Sequence, residues 1–204
     1  MVGKVWVTEE KSGLLIHTLP SYVSIRENES SKPPTYFEMN SFTAPFQEIV
    51  NTYGVPRYQE VNPGLYAIGV FPFLFGVMFG DIGHGGVLLV AGIWLCYSET
   101  ARRSLPDMFA VRYLILLMGI MAFYSGWIYN EFFSIPINLF GTCYGHAKAE
   151  EFAERSYDTC VYPFGFDPKW IRASNELNYF NSYKMKFAVI IGVLQMTFGI
   201  FIFI

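Results

Sequence analysis

The distribution of apolar positions divides the chain into long uninterrupted runs separated by polar stretches. From Leu65 to Tyr97 every residue is apolar, small or aromatic except Asp81 and His84. One membrane span needs only about 20 residues, and the glycines at 80, 83, 85 and 86 fall near the middle of this run. The pattern predicts a tight hairpin of two short helices, about 63–80 and 84–98. A helix of about 18 residues reaches about 27 Å, slightly less than the hydrocarbon thickness of about 30 Å, which places Asp81 near one membrane face. A third run, "YLILLMGIMAFYSGWIY" from Tyr113 to Tyr129, carries no charge and is flanked by Arg112 and by Asn130-Glu131; it predicts a span over about 110–130. The fourth follows "NSYKMK" and runs from Phe187 to Ile204, within a segment 183–204. Because it reaches the last residue with no polar flank on its exit side, it reads as a truncated span.

Outside these runs the periodicity changes. Residues 1–32 contain two short alternating stretches, "KVWVTE" and "LLIHTLPSYVSI", then the polar "RENESSKPP". They predict a small β-containing piece and a linker ending at Pro33-Pro34. Phe42, Phe46, Ile49, Val50 and Tyr53 recur at helical spacing, with Ser41 or Thr43 as N-cap and Gly54 as the stop. That helix of about three turns would pack its apolar stripe against the membrane domain.

Composition strengthens the membrane reading. Of 204 residues 52% are hydrophobic, 19% aromatic and only 15% charged, against about a quarter charged in soluble domains. The 20 Phe and 14 Tyr suit helix contacts and membrane interfaces. The net charge is −3 and no basic cluster exceeds Arg102-Arg103, which excludes a nucleic-acid footprint. The first residues lack the apolar core of a secretory signal. Arg102, Arg103 and Arg112 mark the short loop 99–111 as cytoplasmic, so residues 1–62 are cytoplasmic too and 134–182 form a lumenal loop. Lys184 and Lys186 at the lumenal start of the fourth span run against that rule and read, with Arg112, as snorkelling interfacial anchors. The fold class expected is an all-α polytopic membrane protein of about four transmembrane helices, the first two a short hairpin, with a small cytoplasmic α/β N-terminal segment and a lumenal loop.

Five stretches, in order, carry a resemblance: "PPTYFEMNSFTAPFQEIVNTYGVPRYQEVNPGLY", "FPFLFGVMFGDIGHG", "YNEFFS", "YPFGFDPKW" and "LNYFNSYKMK". Together they resemble subunit a of the eukaryotic V-type proton-pumping ATPases, over residues 33 to 204. The resemblance implies a non-catalytic membrane stator beside a rotating ring of proteolipid subunits. The expected partners are those ring subunits, other stator and membrane-sector subunits and the lipid bilayer, in a vacuole-, endosome- or Golgi-type membrane. No cofactor, metal or nucleotide is implied for this chain. Family members also carry a large N-terminal cytoplasmic domain and further spans with essential arginines; no Arg lies within the four apolar runs here, so complete pumping is not expected of this chain alone.

The polar residues admit two readings each. Asp81 and His84, three apart, share a face if the turn between them is helical. They either support proton access at the membrane face or are architectural. In the second case Asp81 caps the second helix, and Gly80, Gly83, Gly85 and Gly86 let the hairpin turn and its helices approach. Glu131 is either a lumenal carboxylate near a proton exit or a solvated helix end. A metal site would need a further ligand, and the glycines lack the Lys-Ser/Thr of a phosphate loop. The segment "YPFGFDPKW" predicts a compact loop on the membrane surface. Cys143 and Cys160 both fall in the lumenal loop, where a disulfide is allowed and would contribute about 3 kcal/mol; Cys96 sits at a membrane end. A small independent proton-coupled carrier using Asp81, His84 and Glu131 is the competing function, weakened by the lack of an internal repeat. A structural or regulatory protein derived from the stator is a third.

Overall fold

A computed structural model describes residues 6–7, 9–18, 33–143, 161–172 and 175–203. Its order is α1 (Glu9–Thr18), α2 (Ala44–Tyr53), α3 (Pro63–Met78), α4 (Ile82–Tyr97), α5 (Glu99–Ser104), α6 (Pro106–Ala110), α7 (Arg112–Tyr129), β1 (Glu131–Phe132), β2 (Ile135–Pro136), a 3-10 turn at Pro168–Arg172, and α8 (Glu176–Phe203). The first departure from the sequence reading is α1. Part of the second alternating stretch, Leu14 to Thr18, is helical, not a strand; a short apolar run does not fix its own period, and Glu9, Glu10 and Lys11 ahead of it favour a helical start.

Helices α3 and α4 form where the pattern placed two short helices, with ends trimmed, but they do not pair tightly with each other as a hairpin: each packs chiefly against α7, because the small residues of α4 meet the α7 backbone. Asn62 caps α3 by accepting from the Gly64 N–H at 2.9 Å, and Pro63 stands at the first helical position, where its missing N–H costs nothing. Buried Pro72 lies inside α3, where it cannot donate to the preceding turn. With 16 residues each, α3 and α4 are about 24 Å long, short of a full bilayer core of about 30 Å. Two helices are long and apolar enough to cross a membrane by length and composition, α7 over Arg112–Tyr129 and α8 over Leu177–Ile202.

The most extensive interface joins α4 to α7, followed by α3 to α7. Small residues make it possible. A Cβ on Gly92 would lie 2.8 Å from the Leu116 Cα, and one on Gly119 would lie 2.6 Å from the Leu89 backbone nitrogen, so the two backbones meet with no side chain between them. Helix α2 covers one end of this bundle, contacting α3 and α7. Phe46 is completely buried there, and the Phe42 ring sits 5.4 Å from Tyr113. Tyr53 does not belong to the packed stripe, being 91% exposed. Thr43 stands at the N-cap but makes no capping bond to the helix.

Helix α8 starts at Glu176, earlier than the expected 183, and runs antiparallel to α3. The ring pairs Phe73–Phe187 and Tyr66–Phe198 and the bond from Lys184 to the Met78 carbonyl pair rising with falling residue numbers. Most of α8 is otherwise exposed. The loop 99–111 contains two short helices that hydropathy does not reveal. Ser98 caps α5 by accepting from Ala101 N–H at 3.3 Å, and Pro106 opens α6.

Candidate functional site

The polar residues converge at the end of the bundle where α3 turns into α4. Asp81 is extended and stands at the N-cap of α4. Its Oδ1 accepts from the N–H groups of Gly83 at 2.6 Å and His84 at 3.1 Å, two of the donors a helix start leaves unpaired. The same carboxylate reaches across to the chain beyond α7. Oδ1 accepts from Phe133 N–H at 3.0 Å and Oδ2 from Ser134 N–H at 2.9 Å. Phe133 and Ser134 both have left-handed backbone angles, φ 47° and 61°, a conformation that costs a side-chain-bearing residue about 1–2 kcal/mol. Asp81 therefore anchors a strained turn as well as a helix. His84 Nδ1 lies 3.2 Å from Oδ2 while its side chain stays 67% exposed, its ring edge-on to Phe133 at 5.0 Å. Burial alone would push the Asp81 carboxyl up; the donors of Ser134, His84 and Phe133 outweigh it and hold the group below the ordinary carboxylate value.

Three of the four glycines expected at the hairpin are required by packing. A Cβ on Gly85 would lie 2.5 Å from the Phe123 backbone nitrogen; on Gly80 and Gly83 it would meet the Tyr129 and Phe133 rings at 2.7 and 2.6 Å. Gly86 is different, with nothing nearer than 3.7 Å. None of the four has a positive φ, so they serve close approach, not the turn itself.

Glu131 is half-buried in β1, not at a helix end, and β1 pairs antiparallel with β2. A cavity of about 500 Å³ brings Asp81, His84, Glu131, Ser134 and Lys184 to one wall system with Phe75 and Leu88 among the apolar lining. Lys184 is half-buried, donates to the Met78 carbonyl at 3.4 Å and lies 4.7 Å above the Tyr129 ring. Lys186 is exposed. Arg112 belongs to the opposite end, donating to the Phe109 carbonyl at 2.9 Å and lying 4.0 Å and 4.3 Å from the rings of Phe109 and Tyr113.

Three further groups at the turn end escaped the sequence reading. Tyr129, 4% exposed, donates its hydroxyl to the Val77 carbonyl at 2.8 Å, joining α7 to the last turn of α3. Asn130 closes α7 in the left-handed conformation, φ 54°, and is completely buried. Its amide donates to the carbonyls of Phe164 and Phe166 at 3.2 and 2.7 Å. Asp167, 5% exposed, accepts from Thr142 Oγ1 at 2.8 Å, Cys143 N–H at 2.9 Å and Lys169 N–H at 2.9 Å. Signals for two of these exist: Asn is a common left-handed helix terminator, and Asp before Pro is an N-cap followed by the favoured first residue. Phe166 then sits among Tyr129, Tyr179, Phe180 and Tyr183, with centroids 5.0 to 6.4 Å apart, so the expected compact loop packs on the ends of α7 and α8. Cys143 is disulfide-bonded and Cys96 is free; Cys160 lies outside the described residues. Among the described residues no group of three or more His, Cys, Asp or Glu is placed to hold a metal.

Residues 5–204 match the V-type ATPase 116kDa subunit family. The chain is 47% identical over 196 residues to the vacuolar proton translocating ATPase 100 kDa subunit of Dictyostelium discoideum, covering 93% of this chain and 24% of that protein. It is 44% identical over 181 residues to V-type proton ATPase subunit a of Schizosaccharomyces pombe, covering 85% and 22%. With the human V-type proton ATPase 116 kDa subunit a 4 the identity is 45% over 196 residues, covering 82% and 23%. The chain thus spans about a quarter of the length of these relatives.

Proposed function

The chain belongs to the V-type ATPase 116kDa subunit family, and from that premise we propose that it serves as part of the non-catalytic stator of a V-type rotary ATPase, contributing to ATP-driven proton translocation and organelle acidification. The observation that carries this reading is the family match along nearly the whole chain, residues 5–204. Its partners are the proteolipid ring and other stator and membrane-sector subunits, and its membrane is of the vacuole, endosome or Golgi type. Helices α3, α4, α7 and α8 are the four spans, with α3 and α4 joined by the turn at Asp81 and packed on α7. Residues 1–62 and the α5–α6 connector lie in the cytoplasm, and the 134–182 region on the lumenal side. The three arginines between α4 and α7 support that orientation. Cys143 pairs with Cys160 in the oxidising compartment, which a non-reducing peptide map checks.

Within that frame Asp81 is an architectural carboxylate. Four backbone N–H groups occupy its two oxygens, and it joins the start of α4 to the turn after α7. The cavity wall of Asp81, His84 and Glu131 favours a second reading, in which the same end admits protons from the lumen; it is separated from the first by the Asp81 variants below. Assembly is tested by mild-detergent pull-down of the tagged chain from cells with an intact pump. Proteolipid and stator subunits are expected in the eluate; a chain recovered free of any ring subunit refutes the stator reading.

A further inference from the structure

The basic groups at the other end of the bundle make fewer polar ties to the fold. Helices α5 and α6 form a connector between α4 and α7, with Leu105 and Met108 exposed at 44% and 46%, and Tyr97 and Trp94 exposed at 86% and 49% on the last turn of α4. Arg102 and Arg103 are exposed. Arg112 stands one turn away, held against Phe109 and Tyr113, and Arg102 lies 5.9 Å from the same Phe109 ring. Three guanidiniums thus face two carboxylates in this stretch, Glu99 and Asp107. Each carboxylate occupies the first turn of its helix, where the dipole favours it.

We propose that this connector lies in the interface of the membrane leaflet on its side and binds the phosphate groups of anionic phospholipids through Arg102 and Arg103. The argument joins chemistry to position. The guanidinium fork matches a phosphate diester in two parallel bonds. The neighbouring exposed apolar and aromatic side chains suit the boundary between headgroups and acyl chains. The connector is tied at both ends to helices α4 and α7, so it cannot leave the membrane surface, and the entropy of bringing it there is already spent. Arg112, buttressed by two rings and donating to a main-chain carbonyl, fixes the shape of the connector and leaves the other two guanidiniums for the lipid. The inference rests on α4 and α7 crossing the bilayer as proposed above.

The test uses the full chain reconstituted in phosphatidylcholine vesicles with spin-labelled phosphatidylserine or spin-labelled phosphatidylcholine as probe, and the fraction of each label immobilised at the protein is measured. The serine label is expected to be preferred, with the preference falling about two- to fivefold for each of Arg102→Gln and Arg103→Gln and fading in molar salt. Lys186→Gln, at the opposite end of the bundle, should leave it unchanged. Quenching of the tryptophans by brominated acyl chains is recorded on the same samples. Equal immobilisation of the two labels, or a preference that survives the double Arg variant or is lost in Lys186→Gln, with quenching intact, overturns this proposal alone. Loss of quenching overturns the membrane-spanning reading and this inference with it.

Discussion

Replacing Asp81 separates a structural carboxylate from a proton carrier, because the two oxygens have unequal duties. Oδ1 serves Gly83, His84 and Phe133, while Oδ2 serves Ser134 and the His84 ring. Asp81→Asn keeps one oxygen for the first set and turns an amide NH₂ toward the Ser134 N–H. It loses one charge-assisted bond, about 1.5 kcal/mol. Asp81→Ala loses the helix cap, about 1 kcal/mol, and both bonds to the left-handed turn, about 1–1.5 kcal/mol each where water partly replaces them, for a total of about 3 kcal/mol. In a chain of this size the apparent melting temperature in detergent should fall by about 3–6 °C for Asn and about 6–12 °C for Ala. Size-exclusion of heated samples reads this directly. Acidification per assembled complex should follow the same order, Asn well above Ala. Normal assembly with acidification abolished equally in both variants refutes the structural reasoning, since Asn holds the turn and cannot release a proton. The pH dependence has a definite sign. A carboxyl held below its ordinary value contributes stability that is full above the unfolded value and is lost only as pH falls through the folded one. Stability owed to Asp81 should therefore be flat from pH 7 to 5 and vanish in the Ala variant at every pH in that window.

Two further outcomes follow from packing and backbone geometry. Gly85→Ala drives a methyl into the Phe123 backbone and should destabilise by about 1–3 kcal/mol, whereas Gly86→Ala meets only ordinary contact and should be neutral or slightly stabilising; equal losses in a thermal-stability comparison would contradict the assigned α4–α7 interface. Asn130→Gly loses the two amide bonds and keeps the left-handed turn, while Asn130→Ala also pays for φ 54°. Ala should melt below Gly by a margin of about 1 kcal/mol, and the reverse order would remove the left-handed cap from the account.

The long apolar runs made the four main helices legible because each is set by its own composition, and the break between α3 and α4 was marked by glycines that no continuous helix would place together; that both helices pack on α7 and not on each other was not legible, because it is decided by a helix distant in sequence. Asp81 as a helix cap was legible for a similar reason, since the donors it serves are two and three residues away. Its second duty was not, because Phe133 and Ser134 are 52 and 53 residues distant and nothing local announces them. Gly86 differs from its neighbours on the same ground. Only the partner helix decides which glycine meets a backbone. Of the second alternating stretch, residues 14–18 belong to α1, because alternation over five residues fits either period; its remainder and most of the first stretch lie outside the described residues. Helices α5 and α6 are too short for hydropathy to mark, though Ser98 and Pro106 are ordinary start signals.

The two ends of the bundle spend their polar groups differently, and that difference bears on what each end does. At the turn end the Asp81 and Asp167 carboxylates, the Asn130 amide and the Tyr129 hydroxyl all bond main-chain groups from distant segments, so α3, α4, α7 and the loop before α8 are cross-tied there. Breaking any one tie leaves a half-buried donor or acceptor without its partner, at about 1–3 kcal/mol. These ties fix the relative positions of the segments that meet at that end. At the other end Arg112 bonds a main-chain carbonyl, while Arg102 and Arg103 are exposed. Charges left free of the fold add little to its stability. They are available to a phosphate-bearing surface, and their removal should change lipid preference without changing the melting temperature. A melting loss from Arg102→Gln or Arg103→Gln as large as that from Asp81→Asn would mean that both ends are cross-tied alike.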